Sequence, residues 1–117
     1  MREYSGMTPD QIIATFDDLI YVIHDLALKK GWWQEEREMG TMLALIHSEV
    51  SEALEADRTD ANSEKIPEFT GLEEELADVI IRILDLAGYY DLRIGQAVLA
   101  KHEYNLGRSF RHGNKKY

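Results

Sequence analysis

Apolar residues recur along this chain at helical spacing, in four runs separated by short polar text. Ile12, Phe16, Leu19, Ile20, Ile23 and Ala27 form the first run. Ahead of it, Thr8-Pro9-Asp10-Gln11 reads as a helix start, with Thr at the cap, Pro at the first helical position and Gln three residues after the cap. Gly31 stops that helix. Met39, Met42, Leu45, Ile46, Val50, Ala53 and Leu54 predict a second helix from about Arg37 to Asp57. Thr70 with Glu73 makes a further capping box, and the helix it opens runs to about Gly88. A fourth helix, roughly Leu92 to Asn105, follows Asp91 as candidate cap and turns Ile94, Ala97, Val98 and Leu99 inward. No strand signal, internal repeat or low-complexity tract interrupts this pattern. The expected fold class is all-α, a four-helix bundle-like subunit forming one domain over residues 1–117, with a loop at 57–71 and a basic tail at 107–117.

The third helix is apolar on most sides. Its polar positions form a narrow strip of Glu74, Glu75, Asp78, Arg82 and Asp85. Such a helix needs more cover than four short helices supply, so assembly into a dimer or tetramer is expected.

Composition narrows the function classes. A chain of 117 residues is long enough for a core without disulfide staples, and it has no cysteine, which removes thiolate metal sites. No apolar run approaches the roughly 18 residues of a membrane span, and the N-terminus lacks the order of a signal peptide. A soluble, cytoplasmic protein without a membrane partner is the default expectation. The net charge of −9 argues against a nucleic-acid backbone binder. The charge is uneven: residues from Lys101 onward carry +4, against −13 in the hundred before them. An acidic body with a cationic end suits a metal-chelated polyphosphate, although a solvated basic tail would look the same.

Candidate chemistry centres on two acidic pairs spaced i, i+3: Glu49 with Glu52, and Glu75 with Asp78. On a helix each pair shares one face, about 5 to 6 Å apart at Cβ. Glu49 stands between Leu45 and Ala53, inside the stripe that should face the core. A buried carboxylate persists when it is paired or binds metal. Oxygen ligands without His or Cys favour a hard cation, Mg²⁺ or Mn²⁺. One such pair alone arises readily by accident on a solvated helix face; two on neighbouring apolar helices carry more weight.

Other positions are candidates of lesser force. Trp32 and Trp33 are adjacent and cannot both face the same way, so one can pack on the core while the other offers a stacking surface. His24 lies at the edge of its stripe, and His47 falls on the side opposite Glu49. The loop from Asp57 to Gly71 joins the two acidic helices, with Ile66 and Phe69 available to tack it down. Arg82, one turn after Asp78, can steer a carboxylate or reach an anion. Lys101, Asn105 and Arg108 form one row of donors near the end of the last helix.

Taken together, Glu49xxGlu52 and Glu75xxAsp78, separated by twenty-two residues, resemble the paired ExxE and ExxD of the all-α nucleoside triphosphate pyrophosphohydrolases, MazG-like branch. The flanking Lys-Gly-Trp-Trp, Leu-Ile-His-Ser-Glu-Val-Ser-Glu and Glu-Leu-Ala-Asp-Val-Ile-Ile-Arg, and Lys101xxxAsn105xxArg108 with Arg111-His112-Gly113, extend the likeness over about residues 16 to 116. The resemblance implies hydrolysis of a ribo- or deoxynucleoside triphosphate to the monophosphate and pyrophosphate. It implies Mg²⁺ held by Glu49, Glu52, Glu75 and Asp78, and phosphate contacts from Lys101, Asn105, Arg108 and Lys115. It further implies base or sugar contacts from His24 and Trp32 or Trp33. A di-iron four-helix protein is disfavoured, because no acid here has a histidine at i+3. A non-catalytic nucleotide-binding or regulatory domain of the same fold stays open as the alternative.

Overall fold

The computed structural model describes residues 4–108, and among them it is all-α: α1 (Pro9–Lys29), α2 (Met39–Thr59), α3 (Gly71–Tyr90) and α4 (Ile94–Leu106). Lys115 and the rest of the basic tail after residue 108 lie outside the described residues. The capping signals operate as their sequences imply. Thr8 Oγ1 accepts from the Gln11 amide at 3.1 Å, and Gln11 Oε1 accepts from the Thr8 amide at 2.8 Å. Thr70 and Glu73 exchange the same pair of bonds, at 3.1 and 3.0 Å. Each box satisfies amides that the first helical turn cannot pair.

The first three helices end in left-handed turns. Gly31 closes α1 at φ 76°, while Trp32 donates back to the Ala27 carbonyl at 3.1 Å. Aspartates take that conformation after α2 and α3, at φ 53° for Asp60 and 56° for Asp91. Asp91 was expected to cap the last helix from its N-terminal side. It instead ends α3, which runs two residues beyond Gly88, and α4 begins at Ile94 without a side-chain cap.

The described chain forms two compact units. The first comprises residues 4–19 and 93–108. Within it, Gly95 comes so close to Phe16 that a Cβ there would lie 2.6 Å from the Phe16 Cβ. Leu99 is buried, and the Tyr4 hydroxyl donates to Glu103 at 3.1 Å.

The second unit, Ile20–Leu92, is built on α2 and α3. These helices run antiparallel: Gly71 lies beside Ala56, Glu75 beside Glu52 and Arg82 beside Glu49. Ala27, Trp33, Met42 and Leu86 form its buried core, flanked by Met39, Leu45, Ile46, Tyr89 and Tyr90. The Trp33 ring stacks on Tyr89 at 3.9 Å and 11°. Gly88 lets α1 approach α3, since a Cβ at Gly88 would sit 2.6 Å from the His24 Cβ.

Two expectations about packing change. Val50 and Leu54 belong to the apolar stripe of α2, yet they are 50% and 63% exposed. Leu76 and Ile80 of α3 are likewise 46% and 57% exposed, so the single chain leaves apolar surface uncovered on both acidic helices. In the loop between them, Ile66 and Phe69 are also exposed, and buried Ser63 fastens the segment instead. Its hydroxyl accepts from the Ile66 amide at 3.0 Å and donates to Glu74, while its own amide bonds Phe69 O at 3.0 Å. A hydroxyl can satisfy loop amides that apolar side chains cannot. Among the described residues, no helix is long and apolar enough to cross a membrane.

Candidate metal and nucleotide site

The i, i+3 pairs on facing helices bring the acids together. Oxygens of Glu49, Glu52 and Glu75 all lie within 4.8 Å of one another, and so do those of Glu74, Glu75 and Asp78. Glu75 belongs to both groups and bridges the two halves of the quartet. Glu49 is 8% exposed, while Glu52 is open to solvent. The position of Glu49 between Leu45 and Ala53 therefore has the consequence that periodicity implied.

Each acid feels a different field. Burial alone would raise the Glu49 carboxyl, but bonds from Arg82, Glu75 and Glu52 hold it below its ordinary value. The Arg82 bond runs from Nε to Glu49 Oε1 at 2.8 Å. Burial, reinforced by Glu49 and Glu52, pushes Glu75 up to about 7. Asp78 is raised by burial and by the charges of Glu49 and Glu74, against weaker opposition from Lys65 and Arg82. Like charges held this close favour retention of a proton between them.

A divalent cation would relieve that crowding. Glu75, the residue common to both carboxylate groups, has one oxygen, Oε2, buried without a hydrogen-bond partner among the described residues. An unpaired buried oxygen and an all-oxygen donor set fit a hard cation such as Mg²⁺.

A cavity of about 380 Å³ opens beside the acids, lined by Glu49, Asp78 and Asp85 and by Trp32, Arg37, Lys65, Ile81 and Arg82. The paired tryptophans separate here. Trp33 is 8% exposed and packs in the core, whereas Trp32 is 53% exposed and lines the cavity. Trp33 is fixed by Asp85, whose two oxygens accept from its Nε1 at 2.9 and 3.0 Å. His24 Nδ1 donates to the same carboxylate at 2.7 Å and sets its ring edge-on to Trp33. His24 and Trp33 are thus both tied to Asp85, which lines the cavity, while neither of them lines it.

Lys101, Asn105 and Arg108 belong to the first unit and are exposed. Lys101 and Asn105 line an open groove with His102 over Ile94, Ala97 and Val98, and the Lys101 ammonium lies 4.6 Å from the Tyr104 ring centroid.

Several cavity residues escaped the reading of motifs. Asp85 lies seven residues after Asp78, two turns along one face, so its spacing carried a signal. Arg37 precedes its helix and Lys65 sits in an aperiodic loop, where no spacing marks a functional side chain.

The chain is all-α, its facing helices lend acids to two groups that share Glu75, and it belongs to the MazG-like nucleoside triphosphate pyrophosphohydrolases as a distant member. The relative that supports this is mouse (Mus musculus) dCTP pyrophosphatase 1, 30% identical over 100 residues. That alignment takes in 80% of this chain and 58% of the mouse enzyme's length. No family model and no solved structure matches the chain.

Proposed function

We propose that this protein is a Mg²⁺-dependent nucleoside triphosphate pyrophosphohydrolase, converting a ribo- or deoxynucleoside triphosphate to the monophosphate and pyrophosphate. The observation that carries the reading is the carboxylate group around Glu75, with its unpaired buried oxygen, next to a cavity that Glu49 and Asp78 line together with Arg37, Lys65 and Arg82. Kinship with a dCTP pyrophosphatase supports the same reaction class.

In this reading Glu49, Glu52, Glu75 and Asp78 hold Mg²⁺, with Mn²⁺ as a substitute. The bound ion supplies electrophilic assistance to the phosphates and acidity to a water. Glu49 is orientated by Arg82, so its carboxylate is presented in one direction. Glu75, raised to about 7 by burial and by its neighbours Glu49 and Glu52, carries a proton near neutral pH that the arriving cation would displace. Trp32 offers the nucleobase a flat surface, and the bonds from Trp33 and His24 hold Asp85 in place at the cavity. Lys101, Asn105, Arg108 and Lys115 stand as the phosphate contacts that the resemblance implies. A second copy of the chain, in a dimer or tetramer, covers the apolar faces of α2 and α3. Clearing unwanted nucleotides from a cytoplasmic pool is the role that fits such a reaction.

The test is pyrophosphate release from a panel of ribo- and deoxynucleoside triphosphates, dCTP included, with Mg²⁺ or Mn²⁺. Glu49→Gln serves as the blank and keeps its helical content by circular dichroism. Release that depends on Glu49 supports the reading. Equal release by the variant removes the carboxylates from the mechanism. Metal-dependent nucleotide binding without release favours a non-catalytic binding domain.

A further inference from the structure

Arg82 occupies a position that a site built only for a cation would leave uncharged. It lies one turn beyond Asp78 and donates Nε to Glu49 Oε1 at 2.8 Å. Glu49 is nearly buried, and the Arg82 side chain is itself only 31% exposed. A fixed positive charge this close to a candidate cation ligand repels a divalent ion, and the low-dielectric surroundings strengthen the repulsion. If Arg82 served only to orientate Glu49, a neutral donor would do so without that penalty.

The guanidinium has more to offer than the bond to Glu49. Nε uses one of its five N–H donors, and the other four lie in the same plane as a fork suited to phosphate oxygens. Arg82 lines the cavity together with Arg37 and Lys65, and with the acids Glu49, Asp78 and Asp85. Acids and bases therefore share one cavity. Such a lining matches neither a bare cation nor a bare polyanion; it matches a cation already chelated by phosphate, with carboxylates for the metal and guanidinium for the oxygens.

We propose that Arg82 makes the site selective for a metal–triphosphate chelate, by weakening the hold of the acids on free divalent cation and donating to the phosphate oxygens of the nucleotide. This inference rests on the pyrophosphohydrolase reading and assigns Arg82 two opposed effects. Free cation binds poorly because the guanidinium opposes it. The chelate binds well because its anionic half is drawn to the same group. The cell's free Mg²⁺ then does not fill the site ahead of substrate.

The opposition gives the test its sign. Mn²⁺ binding is measured by electron paramagnetic resonance for the native protein, Arg82→Met, Arg82→Lys and the Glu49→Gln control. It is measured first without nucleotide, then with the α,β-imido analogues of the common deoxynucleoside triphosphates. Arg82→Met is expected to bind Mn²⁺ alone about tenfold tighter than native and the Mn²⁺–analogue complex at least about tenfold more weakly. Arg82→Lys keeps the charge but not the fork. It is expected near native for Mn²⁺ alone and intermediate for the complex. Circular dichroism verifies folding, and the lysine variant carries the test if the methionine variant does not fold.

A loss or no change in Mn²⁺ affinity for Arg82→Met overturns the proposal and leaves Arg82 as a strut for Glu49. Unchanged analogue binding in both variants overturns it as well. If the native protein shows no Glu49-dependent Mn²⁺ binding and no analogue binding, the pyrophosphohydrolase reading itself falls, and this inference with it.

Discussion

Glu75→Gln should make the metal-free protein more stable at pH 8 while removing its response to Mg²⁺. Glutamine keeps the shape of the side chain and deletes the charge that Glu49, Glu52 and burial disfavour. The native carboxyl is raised from 4.5 to about 7. The folded state therefore binds more protons than the unfolded state between those values, and the contribution of Glu75 to stability falls as pH rises through that window. Below pH 4.5 the group is neutral in both states and the variant has no advantage. At 1.36 kcal/mol per pH unit the interval corresponds to roughly 3 kcal/mol. Glu75 is partly accessible, so solvent screening reduces the expected gain to about 1–2 kcal/mol. For a domain of this size that is a rise in Tm of roughly 4–10 °C. Urea unfolding in EDTA at pH 4.5, 6 and 8 reads the difference directly. Repeating the pH 8 series with Mg²⁺ should stabilise the native protein and leave the variant nearly unmoved. A variant that is less stable at pH 8, or whose difference from native does not change with pH, would refute the account of carboxylate crowding.

Three further substitutions test the scaffold. Gly88→Ala places a methyl 2.6 Å from His24, whose ring is held by Asp85, and should cost about 2 kcal/mol despite the helix preference for alanine. Gly40→Ala is its control: a Cβ at Gly40 meets nothing within 4 Å, so thermal unfolding should show a gain of about 0.5–1 kcal/mol. Asp60→Gly relieves a left-handed aspartate at φ 53° and should add up to about 1 kcal/mol, read by the same urea titration.

The helices were legible because their signals are local. Thr8 with Gln11 and Thr70 with Glu73 fix two starts by bonds within four residues, and apolar spacing carries the rest. The meeting of the acidic pairs was legible too, since i, i+3 acids on consecutive antiparallel helices can face each other. What escaped depends on a third partner or on a backbone state. Asp85 read as one member of a narrow polar strip, because nothing local reveals that Trp33 and His24 converge on it from other segments. Asp91 read as a helix start because aspartate serves caps and left-handed ends alike. Val50 and Leu54 fit the helical period but face outward, because the period gives the width of a stripe and not the neighbours available to cover it.

The division of labour between adjacent indoles gives this protein a natural optical reporter. It has only two tryptophans, and they occupy opposite surroundings: Trp33 is stacked on Tyr89 within the core, and Trp32 lines the cavity. Acrylamide should quench a red-shifted part of the emission, from Trp32, and spare a blue-shifted part, from Trp33. Occupation of the cavity can therefore be followed by the loss of quenching at one wavelength, while the other reports whether the interior has stayed intact, with no label attached.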